Sequence, residues 1–460
     1  MTRQNVQFSG VGHSGKIPTN EPVIHVGIMD EQPVIEASLN GEYDTDGSGP
    51  LSGKFIAKVS SGTIILFDGA GREITRAPEV SFKARGDACF TLFGVTIGNR
   101  FHWERKEDQT FQRDLVLKAR ENGTMAAINA IPLEDYLKSV ISSEMSGNAS
   151  HEFLIAHAIL SRSWLLAALK RKRRPDKPSF HPSQGTARDN ELVRWYEQED
   201  HDVYDVCADD HCQRYQGITK IVSSRAGDAV LQTRGQVLTH GDEICDARYS
   251  KACGGLTEDF TTAWETRHVP YLTSISDAPI VHNPIKTEEE AVRWITSEPE
   301  AHCNTRDDGV LNSILPGFDR ETEAFFRWKV EYERTELEEI IRSKSGFDFG
   351  TLREVRPLSR GPSGRIFRLS ITGSKKSMVV GKELEIRRWL SRSHLYSSAF
   401  VVSAKHNRHK EVERFVFHGA GWGHGVGLCQ IGAAVMAHKG FKAGEILAHY
   451  FPATQIRKIY

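Results

Sequence analysis

Residues 201–215, with the sequence HDVYDVCADDHCQRY, carry the side chains whose types and spacing most directly suggest chemistry. Two cysteines (Cys207 and Cys212), two histidines (His201 and His211) and four aspartates fall within this stretch. Thiolate sulfur and imidazole nitrogen are suitable ligands for a transition metal. A disulfide loop and a solvated acidic turn fit the same residues, so the pattern alone leaves three interpretations open.

Glu144 is a candidate for acid–base catalysis. It closes the segment PLEDYLKSVISSEM (132–145), whose apolar residues recur at helical spacing. Its position in the last turn, at the edge of the apolar stripe, predicts a raised carboxyl pKa, because the helix dipole and partial burial both disfavour the charge. A carboxylic acid that stays protonated near neutral pH can act as general acid on a glycosidic bond. A capping or solvent-facing glutamate fits the spacing as well.

Two glycine-containing segments could form a binding groove. In GAGWGHGVG (419–427), alternating glycines would let the backbone approach a ligand, and Trp422 and His424 would offer ring faces for a sugar chain. The loop lacks the Gly-Lys-Ser/Thr of a phosphate loop. In RYSKACGGLTEDFTTAW (248–264), a predicted strand ends at Gly254 and Gly255. Either segment could instead be an ordinary structural turn.

The elements that must position these residues change type along the chain. Residues 1–20 read as a polar tail, and residues 21–130 as a β-rich region of short alternating runs between turn residues. Two helices follow, at 132–145 and from Ser150, and the second is apolar nearly all round, as a buried central helix would be. Residues 131–460 then mix helices and strands. The sequence therefore predicts an α+β protein.

Composition sets wider bounds. The 460 residues are 39% hydrophobic and 26% charged, with a net charge of −1, which gives no electrostatic argument for binding nucleic acid. We find no 18-residue apolar run and predict no transmembrane segment, and the first residues show no signal peptide. The seven cysteines are an odd number and mostly scattered, unlike a disulfide scaffold.

Taken together, the segments resemble the SpoIID/LytB family, the stage II sporulation protein D and amidase-enhancer group. The resemblance lies in an ordered series of blocks over roughly residues 130–460: IPLEDYLKSVISSEM, LIAHAILSRSW, DVCADDHCQRYQG, YSKACGGLTEDFTTAW, VPYL, SGRIFRLSITG, and GAGWGHGVGLCQIGAAVMAHKG with ILAHYFP. Several motifs in one order are far more specific than any single one. The family fold implied is a SpoIID-like catalytic domain with central helices and mixed β-structure.

The resemblance implies a lytic transglycosylase that cleaves MurNAc–GlcNAc bonds in peptidoglycan glycan strands, leaving 1,6-anhydro-MurNAc ends. Glu144 would be the catalytic acid/base. A single glutamate suffices, because the C6 hydroxyl of muramic acid replaces water as the nucleophile. Arg162 matches a family arginine. The residues expected to bind the substrate are Arg162, Tyr249, Ser250, Gly254, Gly255, Thr257, Trp422, Gly423, His424, Gly425 and Gln430. Arg162 could orient Glu144 or contact the substrate, and a structural ion pair is equally open.

The resemblance also implies a structural Zn²⁺ held by His201, Cys207 and Cys212, with His211 as the rival nitrogen ligand. We expect the ion to hold a loop beside the groove. A disulfide remains the alternative if the protein is extracytoplasmic, the location that a cell-wall substrate implies. The sequence departs from the family at Ser146, at His157 and in a longer segment at about 280–355.

Two other functions stay open at this stage. The amidase-enhancer branch implies a non-catalytic glycan-binding module that stimulates a cell-wall amidase. The second alternative function is a zinc hydrolase that uses His201, Cys207 and Cys212 with a bound water. Such an enzyme would lose its activity when a chelator is added but would keep it in the Glu144→Gln variant.

Overall fold

The computed structural model describes residues 18–45, 48–98, 104–172, 184–188, 190–196, 201–209, 211–221, 223–315 and 324–460. Its combination of helices with antiparallel and mixed sheets confirms the α+β class. Residues 1–17 of the predicted tail lie outside the described residues.

A large sheet forms the N-terminal part of the molecule. Its strands alternate inward apolar and outward polar residues, as the sequence predicts, and Ile35, Ala37 and Leu39 give one buried face. The strands are β1 (Val23–Gln32), β2 (Val34–Thr45), β3 (Ser48–Ser60), β4 (Thr63–Asp68), β5 (Glu73–Ala77), β6 (Glu79–Ala84), β7 (Cys89–Ile97), β8 (Arg105–Gln112), β9 (Asp114–Ala119) and β10 (Met125–Pro132).

Two helices follow β10 directly, which confirms the predicted change from strands to helices. They are α1 (Leu133–Glu144) and α2 (His151–Lys172). By length and composition α2 could cross a membrane, contrary to the expectation that no run was apolar enough, but 94% of its apolar window is buried inside the protein. That burial is typical of a central core helix.

One hydrophobic core joins the sheet to these helices. Leu137 and Ile141 of α1, together with Trp164 and Leu165 of α2, pack in the same cluster as the inward side chains of the sheet. The core therefore continues across the predicted boundary between residues 130 and 131, because the inner face of the sheet needs α1 as its cover.

The middle of the chain supplies short strands and helices around α2. They are β11 (Gln184–Arg188), β12 (Glu191–Trp195), β13 (Val206–Cys207), α3 (Ser224–Gln232), β14 (Gln236–His240), β15 (Glu243–Ile244), β16 (Tyr249–Ser250) and α4 (Phe260–Ala263). Strand β13 joins the large sheet parallel to β1, pairing Val206 with Val26 and Cys207 with Gly27. The Cys/His segment is thus attached to the N-terminal sheet.

A separate α/β unit occupies the region after residue 280. Its elements are α5 (Glu288–Ile295), α6 (Asp308–Ile314), β17 (Arg327–Glu333), α7 (Arg334–Ser345), β18 (Leu352–Arg360), β19 (Ile366–Gly373), β20 (Ser377–Gly381), α8 (Glu383–Trp389), β21 (Phe400–His406) and β22 (Val412–Ala420). Strands β19 and β20 form an antiparallel hairpin, and helix α8 follows it. The elements from β17 to β22 share a core around Trp389, and β12 pairs with β20. Val310 and Ile314 of α6 instead pack in the cluster that contains α2 and α9.

The C-terminal elements return to α2. They are β23 (Leu428–Cys429), α9 (Gln430–His438), α10 (Ala443–Tyr450) and β24 (Gln455–Lys458). Helices α9 and α10 pack on the first half of α2 in a second core cluster, and β23 pairs parallel with β16. This pairing brings the Gly-rich loop beside the end of α1.

Candidate active site and metal centres

Glu144 lies at the C-terminal end of α1 with its side chain mostly buried, 8% of the residue being exposed. Its Oε1 accepts hydrogen bonds from the Tyr249 hydroxyl and from the Arg214 backbone N–H, both at 2.9 Å. Burial and the adjacent Glu144 keep the pKa of Tyr249 well above its ordinary value, so the phenol remains a donor. The carboxyl group is therefore held in one orientation.

The strand β16 links Glu144 to the Gly-rich loop. Tyr249 and Ser250 pair with Leu428 and Cys429, and Ala252 exchanges backbone hydrogen bonds with Trp422 at 2.7 and 3.1 Å. The structure therefore brings together the three segments that the sequence singled out separately.

Lys251 also anchors this strand to α1. Its ammonium donates to the Glu144 carbonyl at 3.1 Å and lies 3.5 Å from the Met145 sulfur. This contact neutralises part of the negative helix end beside the catalytic candidate. Sequence reasoning did not identify Lys251, since one lysine in a strand carries no positional signal.

The exposed part of the predicted groove is small. Trp422, Gly423, His424 and Tyr249 are partly exposed. The Trp422 ring packs against Tyr396 at 4.6 Å and Phe325 at 5.0 Å, which fixes its orientation. Desolvation, with nearby guanidinium groups, keeps the pKa of His424 well below its ordinary value, and its Nδ1 accepts from the Val426 N–H. His424 is therefore neutral.

The glycines of the loop mainly serve contacts within the protein. A Cβ at Gly425 would collide with the fully buried Arg365 guanidinium, and one at Gly427 with the Arg248 carbonyl. Both glycines also have positive φ, at 75° and 74°. Gly425 is buried, so the prediction that it contacts the substrate is wrong. It packs closely on the Arg365 guanidinium instead.

Several predicted substrate contacts on the strand end are buried. The Thr257 hydroxyl donates to the Thr273 carbonyl and accepts from the Ile275 N–H, with no surface exposed. Gly254 and Gly255 are buried against residues 420–421 and Trp294. Ser250 is 7% exposed. These positions therefore lie behind the exposed surface of the groove.

Gln430 likewise lies behind the groove. It is 2% exposed, and its amide Nε2 lies 3.2 Å from His157 Nε2. Burial lowers the pKa of His157 to about 3, so this histidine is neutral, and its ring stands against the Tyr249 ring at 5.2 Å. The pair supports the face of Tyr249 that points away from solvent.

Arg162 forms a structural ion pair. It has no exposed surface, and its guanidinium donates to both Glu134 oxygens, at 2.6 and 3.0 Å. The remaining donors reach the carbonyls of Ala158 and Gln236. Because Arg162 is fully buried, the prediction that it contacts the substrate is wrong. The carboxylate that Arg162 binds is that of Glu134, not that of Glu144.

Two carboxylates near Glu144 in sequence are engaged elsewhere. Asp135 pairs with Arg113 at 2.7 Å and Lys138 at 2.8 Å. Glu152, eight residues after Glu144, accepts hydrogen bonds from the Ala443 N–H at 2.9 Å and from the Lys442 ammonium. Both are held by other parts of the surface.

The first metal-ligating cluster contains His201, Cys207, His211 and Cys212, whose ligand atoms all lie within 4.8 Å of one another. Cys212 Sγ lies 3.3 Å from His201 Nε2 and 3.4 Å from His211 Nδ1, and Cys207 Sγ lies 3.9 Å from His211 Nδ1. The structure thus brings both histidines, the predicted ligand and its rival, to the two cysteines. Two residues after Cys212, Arg214 donates its N–H to Glu144.

A second cluster went unnoticed in the sequence. Cys253, Asp277, Cys303 and Cys429 are all buried, with ligand atoms within 4.8 Å of one another. They come from distant parts of the chain, so no spacing pattern could reveal them. Both clusters have donors that could hold a metal ion.

Glu258 is a buried carboxyl that the sequence also did not single out. It has no exposed surface, and it accepts from Ser363 Oγ at 2.7 Å and Thr262 Oγ1 at 3.1 Å. Desolvation raises its pKa to about 7, against the opposing effects of the Ser363 hydrogen bond and the Arg365 charge. The folded protein therefore binds a proton here that the unfolded chain releases at a lower pH.

We expect Glu258→Gln to flatten the dependence of stability on pH. The raised pKa gives stability that is fully present below pH 4.5 and lost as the pH rises through about 7, on the order of 3 kcal/mol. Thermal denaturation at about pH 5 and pH 8 should therefore show a smaller change in the variant than in the parent. The exposed Glu339→Gln is the control, and an equal pH dependence in all three proteins would contradict the assignment.

Comparisons with known proteins cover both halves of the site. Residues 121–240 match the model of the family described as stage II sporulation protein, and residues 258–427 match a domain of unknown function (DUF8618). The first match contains Glu144 and the Cys/His segment. The second contains Glu258, the whole Gly-rich loop and the added α/β unit.

Three curated proteins are similar to this chain. The amidase enhancer of Bacillus subtilis (strain 168) is 25% identical over 245 residues, 51% of this chain and 33% of that protein. Stage II sporulation protein D of Bacillus amyloliquefaciens is 23% identical over 334 residues, 72% of this chain and 75% of that protein. Its counterpart in Bacillus subtilis (strain 168) is 21% identical over 330 residues, 72% and 76% of the two chains. The chain thus spans a third of the amidase enhancer's length.

Proposed function

From the premise that this chain belongs to the SpoIID/LytB family, we propose that it is a lytic transglycosylase of the bacterial cell wall. The substrate would be peptidoglycan glycan strands without stem peptides, and the bond cleaved would join MurNAc to GlcNAc. The products would carry 1,6-anhydro-MurNAc ends. Such a substrate places the protein outside the cytoplasm.

The orientation of Glu144 is the observation that carries this proposal. A mostly buried carboxyl group at the end of a helix is fixed by a tyrosine hydroxyl and a backbone N–H on the same oxygen. The strand that supplies the tyrosine continues to the partly exposed Trp422, whose ring offers a face to a sugar. A positioned acid beside an aromatic face suits glycosidic chemistry.

One carboxyl group can perform both proton transfers of this reaction. Glu144, as the acid, gives its proton to the glycosidic oxygen while the bond from that oxygen to C1 of MurNAc breaks. The resulting carboxylate then accepts the proton of the C6 hydroxyl, whose oxygen forms the new bond to C1. No water is consumed and Glu144 regains its starting form. A hydrolase would need a second carboxylate or another means of activating water.

We assign Zn²⁺ to the first cluster. Two thiolates and two imidazoles form a closed tetrahedral set, and Zn–S and Zn–N bonds of about 2.3 and 2.0 Å would separate sulfur from nitrogen by about 3.5 Å. The observed separations of 3.3, 3.4 and 3.9 Å fit this set. A zinc ion there would fix the turn that presents the Arg214 N–H to Glu144. With four protein ligands the ion has no open position for a water molecule, so its role would be structural.

The first test is to incubate the protein with denuded glycan strands and to weigh the fragments by mass spectrometry. Anhydro ends, one water lighter than hydrolysis products, support the transglycosylase. Reducing ends that carry the added water would overturn it. Glycan strands that bind but stay intact would favour the second candidate function, a glycan-binding enhancer of a cell-wall amidase. The similarity to the amidase enhancer is the observation that supports this candidate.

We expect Tyr249→Phe to lower the cleavage rate about 10- to 100-fold with little change in glycan binding. The variant loses one hydrogen bond to the Glu144 carboxyl, and bonds to charged groups contribute about 1.5–3 kcal/mol. Turnover and strand co-sedimentation measure the two effects. Tyr43→Phe, which removes a hydroxyl bonded to the Arg113 carbonyl in the N-terminal sheet, is the matched control. Equal rates for both variants would show that Tyr249 does not position the acid.

A further inference from the structure

The second cluster, formed by Cys253, Asp277, Cys303 and Cys429, plays no part in the proposed reaction. Cys253 and Cys303 are each 2% exposed, and Asp277 and Cys429 are completely buried. We propose that these residues form a second metal site, which binds Zn²⁺ through three thiolates and one carboxylate and fastens the added α/β unit to the floor of the groove. This inference is independent of the glycan-cleaving activity.

The distances fit a tetrahedral ion better than they fit a disulfide. Around Zn²⁺ with Zn–S and Zn–O bonds of about 2.3 and 2.0 Å, two sulfurs lie about 3.8 Å apart, and sulfur lies about 3.5 Å from oxygen. Cys253 Sγ lies 3.6 Å from Cys303 Sγ and 3.3 Å from Asp277 Oδ2. A disulfide needs a sulfur–sulfur distance of about 2.05 Å.

Surrounding groups orient the four donors as they do around a bound metal. The Tyr450 hydroxyl donates to Asp277 Oδ1 at 2.5 Å, which turns the other oxygen towards the sulfurs. Backbone N–H groups donate to two of the sulfurs: that of Cys253 to Cys429 Sγ at 3.2 Å, and that of Gly255 to Cys253 Sγ at 3.3 Å. Amide donors aimed at sulfur stabilise thiolates, the form that binds metal.

Charge gives a further argument. The Asp277 side chain receives hydrogen bonds from the Tyr450 hydroxyl, the Cys253 thiol and the Cys303 N–H, all of them neutral donors. A buried carboxyl group among neutral donors either keeps its proton or takes up a positive charge. A divalent ion among the sulfurs would supply that charge, and soft thiolate ligands select Zn²⁺ over Mg²⁺ or Ca²⁺. The thiols release their protons to solvent as the ion binds.

The ligands join four separate parts of the chain, and Asp277 lies between α4 and α5. Cys253 follows β16, Cys303 lies between α5 and α6, and Cys429 caps the start of α9 after the Gly-rich loop. A cavity of about 240 Å³ is lined in part by Cys303, Arg327 and Ile431, so it borders the cluster at Cys303. An ion here would hold the segment 298–311 against the base of the groove.

Metal content of the whole protein tests this site, with zinc in the growth medium and ICP mass spectrometry on the desalted, folded chain. We expect two zinc ions per chain in the parent, one in Cys429→Ser, one in Cys212→Ser and none in the double variant. The Cys212→Ser variant disrupts only the first cluster and is the matched control. Gel filtration and circular dichroism establish that each variant is folded.

A second readout does not depend on substituting the proposed site. In Cys212→Ser loaded with Co²⁺, the remaining ion should show a sulfur-to-cobalt charge-transfer band with the intensity of three thiolates. A parent protein with one zinc ion, retained in Cys429→Ser and lost in Cys212→Ser, would overturn the proposal. A Cys253–Cys303 disulfide, detected as a loss of two hydrogens in the intact mass, would overturn it as well.

Discussion

Glu144→Gln is expected to lower the rate of anhydro-end formation at least about a thousand-fold, within the range that general acid–base catalysis contributes. Glutamine keeps nearly the same shape and can still accept hydrogen bonds from Tyr249 and the Arg214 N–H. It cannot give a proton to the leaving oxygen or take one from the C6 hydroxyl. The rate of fragment release from denuded glycan strands measures the effect.

Glu152→Gln is the control for this experiment. Glu152 starts the next helix and contacts Lys442 and the Ala443 N–H, so its loss should leave the cleavage rate within about threefold of the parent. Binding of intact strands should be similar in all three proteins. A Glu144→Gln variant that keeps more than a tenth of the parent rate would reject Glu144 as the acid.

Arg162→Met is expected to destabilise the folded protein by about 3–5 kcal/mol, because it leaves the Glu134 carboxylate buried without its cation. Glu134 would keep only hydrogen bonds from the Gly235 N–H and the Tyr460 hydroxyl. Urea denaturation measures the loss as a lower midpoint with an unchanged slope.

The double variant Glu134→Gln/Arg162→Met separates the lost pair from lost packing. It should recover a substantial part of the stability, since it removes both buried charges. A double variant as unstable as Arg162→Met alone would show that the guanidinium contributes through packing and its bonds to the carbonyls of Ala158 and Gln236. A single variant with normal stability would contradict the structural role assigned to this pair.

Local periodicity made the helices and the position of Glu144 predictable. The apolar spacing from Leu133 to Ile141 defines both the buried face of α1 and its end, and the structure places Glu144 at that end. The four-ligand arrangement of the first cluster was also within reach, because its residues lie within twelve positions of the chain. Short-range patterns carry such information, since neighbouring residues must share one element.

Long-range contacts set the limit of prediction. A glycine that admits a ligand and a glycine that admits the Arg365 guanidinium look the same in sequence, and Gly425 is of the second kind. Thr257 was assigned to the groove because it follows the β16 segment, yet its buried hydroxyl bonds to the Thr273 carbonyl and the Ile275 N–H. The cysteines of the second cluster are separated by 50 and 126 positions, so only the tertiary fold brings them together.

The shared core of α1 and the N-terminal sheet has a consequence for how the protein can be divided. Leu137 and Ile141 lie on the face of the helix that the sheet covers, while the same helix ends in Glu144. A fragment that starts at residue 131 would expose this apolar helix face to water and would be prone to aggregate. Glu144 and the β-rich region therefore belong to one structural unit, and a cut between residues 130 and 131 would divide its core.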